Sequence, residues 1–185
     1  MSQIICGNVI ETAKEYFRVM LTSDQTGLSD NSSNDVNFAS NGSVVYDTLS
    51  NWDASTNSYQ LGSSDGVYLI NFSIGVSSPT VTAESIIDAG GVVRFSDDNF
   101  SSFLGTPEFG NVTRGLDENS GAIGSIAVSA SSIYKATAAS VKVKLQGYAN
   151  TDATTYTIRN DCNGMSGGSV SSNATITFLE IVRLA

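Results

Sequence analysis

Residues 44–76 read VVYDTLSNWDASTNSYQLGSSDGVYLINFSIGV. In the second half, Tyr68, Ile70, Phe72, Ile74 and Val76 alternate strictly with Leu69, Asn71, Ser73 and Gly75. That is the two-residue period of a strand with one face in a core. Ser63-Ser64-Asp65-Gly66 supplies a turn before it, and residues 59–61 form a short aromatic-bearing strand. Working outward, residues 15–21 are a strand with Phe17, Val19 and Leu21 on one face and Tyr16, Arg18 and Met20 on the other. A second short strand is expected at 34–38. Downstream, residues 85–96 read as one strand or as a hairpin broken at Gly90-Gly91, where glycine takes positive φ freely. Residues 122–130, 139–149 and 154–159 are further strands, 161–168 a Gly/Asn-rich turn, and 97–121 an irregular insertion or long surface loop.

Composition agrees with that pattern. Of 185 residues, 41% are hydrophobic and only 15% charged, and Pro occurs twice, a profile that suits short strands joined by polar turns. The expected fold class is all-β, in one domain over residues 14–185 preceded by an N-terminal arm, residues 1–13. A net charge of -9 with nine Lys and Arg cannot build a phosphate-binding surface, so no nucleic-acid partner is expected. No apolar run is long enough to cross a bilayer and no secretory leader is legible, so no membrane partner is expected either. Cys6 and Cys162 read as free thiols in a protein made in a reducing cytosol. Asn-x-Ser/Thr triplets at Asn31, Asn41, Asn71, Asn99, Asn111 and Asn173 are what a Ser/Thr/Asn-rich chain generates by chance.

The series of an Asn/Asp-rich turn, the strand at 59–61, the Gly66-Val67-Tyr68 lead-in and the long alternating strand resembles the globular head domain of complement component one q. That resemblance implies a tumour-necrosis-factor-like jelly roll: a two-sheet antiparallel sandwich that assembles as a homotrimer. Upstream, the strand at 15–21, then Ser23-Asp24-Gln25-Thr26-Gly27, Val36-Asn37-Phe38 and Tyr46-Asp47, looks like the opening of a branch of this family carried by bacteriophages.

The last segment, 173–184, places Ile176, Phe178, Val182 and Leu184 on one face and Leu179 and Ile181 on the other. A strand apolar on both faces lies centrally, with the core beneath and something else above. The resemblance makes that something the neighbouring subunit. The expected trimer interface is therefore Tyr16, Arg18, Met20, Lys142, Lys144, Phe178, Glu180 and Val182. Glu180 then needs a cation, from Arg18, Lys142, Lys144 or Arg183 of the same or an adjacent chain, or else a β-bulge turns it to solvent.

With no histidine, the Ser-His-Asp and Cys-His arrangements and the usual zinc and iron sites are excluded. Asp97, Asp98, Glu108, Asp117 and Glu118 could line a glycosidase-like groove, but acids in a polar loop are ordinarily solvated surface. Asp97 and Asp98 with Asn99 are the one tight cluster for calcium, without an Asp-x-Asp-x-Asp-Gly loop, so no cofactor is assigned. Gly90-Gly91 and Gly167-Gly168 lack the Lys or helix that phosphate binding requires. Trp52, Tyr46 and Tyr59 could stack on a sugar, and aromatics at strand ends more often close a core.

The expectation is a non-enzymatic virion protein, made in the host cytoplasm and sited on the capsid surface. It would be a trimeric capsid decoration, or cement, subunit bound to the major capsid protein or another virion protein. Its arm would bind the capsid through Ile4, Ile5, Val9 and Ile10. The alternative is the receptor-binding tip of a tail fibre or spike, but only about a dozen residues precede the first strand and no shaft is encoded.

Overall fold

The alternation read from the sequence is realised strand by strand. In a computed structural model, residues 3–5, 8–10, 15–78, 85–104, 109–117, 125–151, 153–161 and 176–185 are described. The elements are β1 (Gln3–Ile5), β2 (Asn8–Ile10), β3 (Tyr16–Leu21), β4 (Gln25–Ser29), β5 (Ser32–Asp35), α1 (Phe38–Asn41), β6 (Gly42–Asp47), β7 (Trp52–Asp53) and β8 (Ser58–Gln60). They continue with β9 (Val67–Ser77), β10 (Ser85–Ser96), β11 (Phe109–Asp117), β12 (Ser125–Lys135), β13 (Lys142–Asn150), β14 (Thr155–Arg159) and β15 (Phe178–Arg183).

Two antiparallel sheets face each other. One runs β4-β14-β9-β15-β3-β6, with β12 on the far edge of β9; the other runs β11-β10-β13-β8-β7, with β5 also on β13. Inward residues of both sheets interdigitate, so Phe17, Tyr68, Ile70, Phe72 and Ile74 from the first meet Phe95, Val143 and Leu145 from the second, all essentially without solvent contact. Each such large side chain contributes about 1.5–3 kcal/mol by leaving water. Phe17 stacks on Tyr59 at 4.2 Å and on Trp52 at 5.5 Å, closing one end of the core.

Several expectations change. The glycine pair does not break β10, which stays in continuous register with β11 and β13 through Gly90 and Gly91. Within the supposed insertion at 97–121, Phe109–Asp117 is a nine-residue strand that pairs with β10 from Val93 back to Ser85. Its Gly110, Asn111 and Gly115 obscured the alternation. The strand expected at 34–38 ends at Asp35, because the Asn37 side chain accepts a hydrogen bond from the Ser40 amide and caps the one-turn helix α1. Most of the turn at 161–168, and both cysteines, lie outside the described residues.

Candidate self-association face

β15 sits between β9 and β3, in the middle of its sheet. Its inner face is Leu179 and Ile181, fully buried; its outer face is Phe178, Glu180 and Val182, half-buried with no layer of the same chain described above them. Register then sorts the outer face into three rungs. Tyr16, Val182, Leu69 and Ile133 form an apolar rung; Tyr46, Arg18, Glu180, Asn71 and Ser131 form a polar one; Met20, Phe178, Ser73 and Ser129 form the third.

The polar rung is internally satisfied. Glu180 Oε1 accepts from the Tyr16 hydroxyl at 2.8 Å and from Arg18 Nη1 at 3.4 Å, and Oε2 accepts from Asn71 Nδ2 at 3.0 Å. The Ser131 hydroxyl donates in turn to Asn71 Oδ1 at 2.5 Å. Arg18 also lies 4.7 Å over the Phe178 ring. Partial burial pushes the Glu180 carboxyl upward, but the hydrogen bonds from Tyr16 and Asn71 and the Arg18 charge outweigh it, leaving the group below its ordinary value. Thus the cation for Glu180 is Arg18 of the same chain, and β15 carries no bulge. At either flank of the face, Tyr46 is 53% and Ile133 64% exposed, large apolar side chains left in water.

Six of the eight residues expected at the interface, Tyr16, Arg18, Met20, Phe178, Glu180 and Val182, therefore share one face. Lys142 and Lys144 do not join them. They belong to β13, on the outer face of the opposite sheet, because Val143 and Leu145 take the inward positions. Lys144 Nζ pairs with Asp35 at 2.8 Å and lies 4.4 Å from the Phe100 ring; Lys142 Nζ reaches Asp53 at 3.2 Å and Asn99 Oδ1 at 2.6 Å. Both lysines anchor the loop after β10 to the sheet beneath it. Leu69, Asn71, Ser131, Ile133 and Tyr46 share this face as well, and the sequence reading did not place them on it. The signal for the first two was present, since they are the off-phase residues of the alternating strand that decided the fold.

The arm residues fall on a hairpin: β1 and β2 form a separate two-stranded sheet in which Ile4 pairs with Val9, Ile5 with Asn8 and Gln3 with Ile10. Asp97 and Asp98 lie in the loop after β10. Asp98 is engaged locally: the Ser102 and Ser96 hydroxyls and the Ser102 amide donate to its carboxylate, holding it well below the usual carboxylate range. Among the described residues, no three Cys, Asp or Glu side chains gather as a metal site. Glu108 and Glu118 lie outside the described residues. Of the aromatics considered for sugar stacking, Tyr59 and Trp52 close the core, and Tyr46 packs 5.2 Å from Tyr16 on the outer face. A polar cleft of about 440 Å³ opens between β4, α1 and the β7–β8 turn, lined among others by Gln25, Asn34, Asn37 and Asn57. Gln25 and Asn57 spend both ends of their amides on backbone groups there, Asn37 Oδ1 accepts from the Ser40 amide and Asn34 Nδ2 donates to Ser29 O and the Tyr156 hydroxyl, so that amide wall is engaged in holding the loops. No helix among the described residues is long and apolar enough to cross a membrane.

No family model and no curated protein sequence matches the chain. Among solved structures, the Eiger TNF of S. frugiperda is similar over 94% of both chains at 9% identity, with a TM-score of 0.54. Murine APRIL at pH 5.0 is similar over 92% of this chain and 98% of its own at 10% identity, with a TM-score of 0.48. The globular domain of the zebrafish complement 1qA protein is similar over 92% and 94% at 13% identity, with a TM-score of 0.39. The first of these carries the fold assignment: a jelly-roll sandwich of the tumour-necrosis-factor type. At such identities likeness extends to the fold alone, and a role has to be argued from the site.

Proposed function

We propose that this chain is a non-enzymatic virion structural protein, a homotrimeric decoration subunit that binds and stabilises an assembled bacteriophage capsid. The observation that carries the self-association is the outer face around β15. A surface with exposed Tyr46 and Ile133 at its flanks and a self-neutralised polar rung between them is costly to leave in water and cheap to cover. A second copy is the natural cover, because the rung between those flanks matches its own charges and offers none to attract a polyelectrolyte. The viral role rests on the resemblance of residues 15–47 to the phage-borne branch. The arm adds to it: a two-stranded hairpin is marginal alone in water, so Ile4, Ile5, Val9 and Ile10 gain by docking on another protein. Decoration would stabilise the shell by mass action, since the subunit binds the assembled state and not the open one.

Sedimentation equilibrium at micromolar concentration is expected to give three times the chain mass, and a folded solitary subunit would remove the assembly. Deleting residues 1–13 is expected to leave the trimer intact and abolish attachment to particles. Full occupancy by the truncated protein would eliminate the arm as the capsid contact, and a reconstruction placing the subunit on the tail would eliminate the capsid role.

A further inference from the structure

We propose that the Arg18–Glu180 pair is the specificity-determining and acid-sensitive element of self-association, an inference that rests on the outer face being the contact between copies. Apolar side chains flank this rung on both sides, Val182 and Leu69 on one and Met20 and Phe178, beside Ser73 and Ser129, on the other. Among the described residues of these three rungs, the one carboxylate already holds three donors from its own chain, and the one cation is matched by that carboxylate. A partner surface therefore meets a neutral stripe and need supply neither a charge nor a donor, provided Glu180 stays ionised.

Protonation undoes this. Glu180 then stops neutralising Arg18 and surrenders acceptor capacity for Tyr16 and Asn71, so covering the face would bury an unmatched guanidinium. The groups facing Glu180 from every neighbouring element are Tyr16 and Arg18 of β3, Asn71 of β9, Ser131 of β12 beyond it, and Tyr46 of β6 beyond Arg18. No second carboxylate is among them, so within these three rungs the acid response belongs to Glu180. Because its carboxyl lies below the ordinary value, association is expected to hold through mildly acidic conditions and fail only below the usual carboxylate range.

The same rung selects among arrangements. Any packing that slides an apolar side chain between Tyr16, Arg18 or Asn71 and Glu180 strands a charge, and only arrangements that leave the network whole are tolerated.

The test is sedimentation equilibrium of the full chain between pH 7.5 and pH 2.5, with circular dichroism confirming the sheet at each pH, for wild type, Glu180→Gln and the double variant Arg18→Leu/Glu180→Leu. Wild type is expected to lose association about tenfold or more across that range. Glu180→Gln is expected to associate weakly at pH 7.5 and to show no acid step, while the double variant regains association, is indifferent to pH, and populates more than one oligomer. Wild type that is trimeric and equally tight at both ends of the range, while still folded, would overturn this proposal and leave the trimer standing. A wild type that never associates would overturn the self-association reading, and this proposal with it.

Discussion

Gly91 of β10 and Gly147 of β13 stand opposite each other across the sheet, and the space their missing side chains leave is filled from the other sheet by Phe72 and Ile74. A Cβ on Gly91 would lie 2.5 Å from Phe72 Cε2, and one on Gly147 would lie 2.6 Å from Ile74 Cδ1 and 2.8 Å from Ile158 Cδ1. Neither glycine is needed for a left-handed backbone; both are needed for the close approach of two sheets. Gly91→Ala and Gly147→Ala are each expected to destabilise the chain by about 1–3 kcal/mol through overpacking, read as a lower urea midpoint at constant slope. Pairing Gly91→Ala with Phe72→Leu is expected to recover part of that loss, because the ring edge that blocks the methyl is gone.

This pair also explains what the sequence did and did not disclose. Alternation in 67–77 exposed β9 and its core face directly, since its inward residues are large and its outward ones mostly small or polar. In β10 the inward residues include Gly91 and Ala89, so the two-residue period fades where the opposing sheet crowds in. Glycine used for packing and glycine used for turning look alike in one dimension. Likewise Lys142 and Lys144 carry the right alternation for an outer face, but nothing in their spacing says which of two sheets owns it. Arg18, Asn71, Ser131 and Glu180 become one rung only through pairings that span up to 162 residues of chain.

Glu15, fully buried at the start of β3, supports the closed end of the core. Its carboxylate accepts from the Gly62 amide at 2.9 Å and from the Tyr68 hydroxyl at 3.0 Å, and the Tyr59 hydroxyl is buried nearby. Glu15→Ala would leave both donors dry, and a loss of about 2–4 kcal/mol is expected from two unsatisfied buried groups. Glu15→Gln keeps one carbonyl acceptor and is expected to lose less. Equal midpoints for the two variants in thermal unfolding would show that the hydrogen bonds do not matter there.

Alkaline stability follows from the tyrosines. Burial first, then the nearby Glu15 charge, pushes Tyr59 and Tyr68 well above their ordinary 10.0, and burial pushes Tyr156 up to about 12 against opposing hydrogen bonds from Asn34. A folded value above the unfolded one gives stability that is complete below pH 10.0 and is lost as pH rises through the folded value. Absorbance titration is expected to show these three responding only above about pH 11, together with loss of the sheet signal. Seven tyrosines titrating as one class in folded protein would contradict the buried assignments.

The Lys144–Asp35 pair predicts an asymmetry between its two members. Lys144 is 8% exposed, with Phe100 and Phe103 rings 4.4 and 5.9 Å from its ammonium, whereas the Asp35 side chain is 42% exposed. Removing the carboxylate leaves a nearly buried cation held by two ring faces alone; removing the cation leaves a carboxylate that water can serve. Asp35→Ala also costs Gln146 its acceptor at 2.7 Å. Asp35→Ala is therefore expected to destabilise by about 1–3 kcal/mol, and Lys144→Met, which keeps the stem and offers the rings a thioether, by about 1 kcal/mol or less. Urea unfolding of both variants decides it: a Lys144→Met loss as large as that of Asp35→Ala would mean that the cation's contact with the rings, and not its burial, governs how the loop after β10 is held.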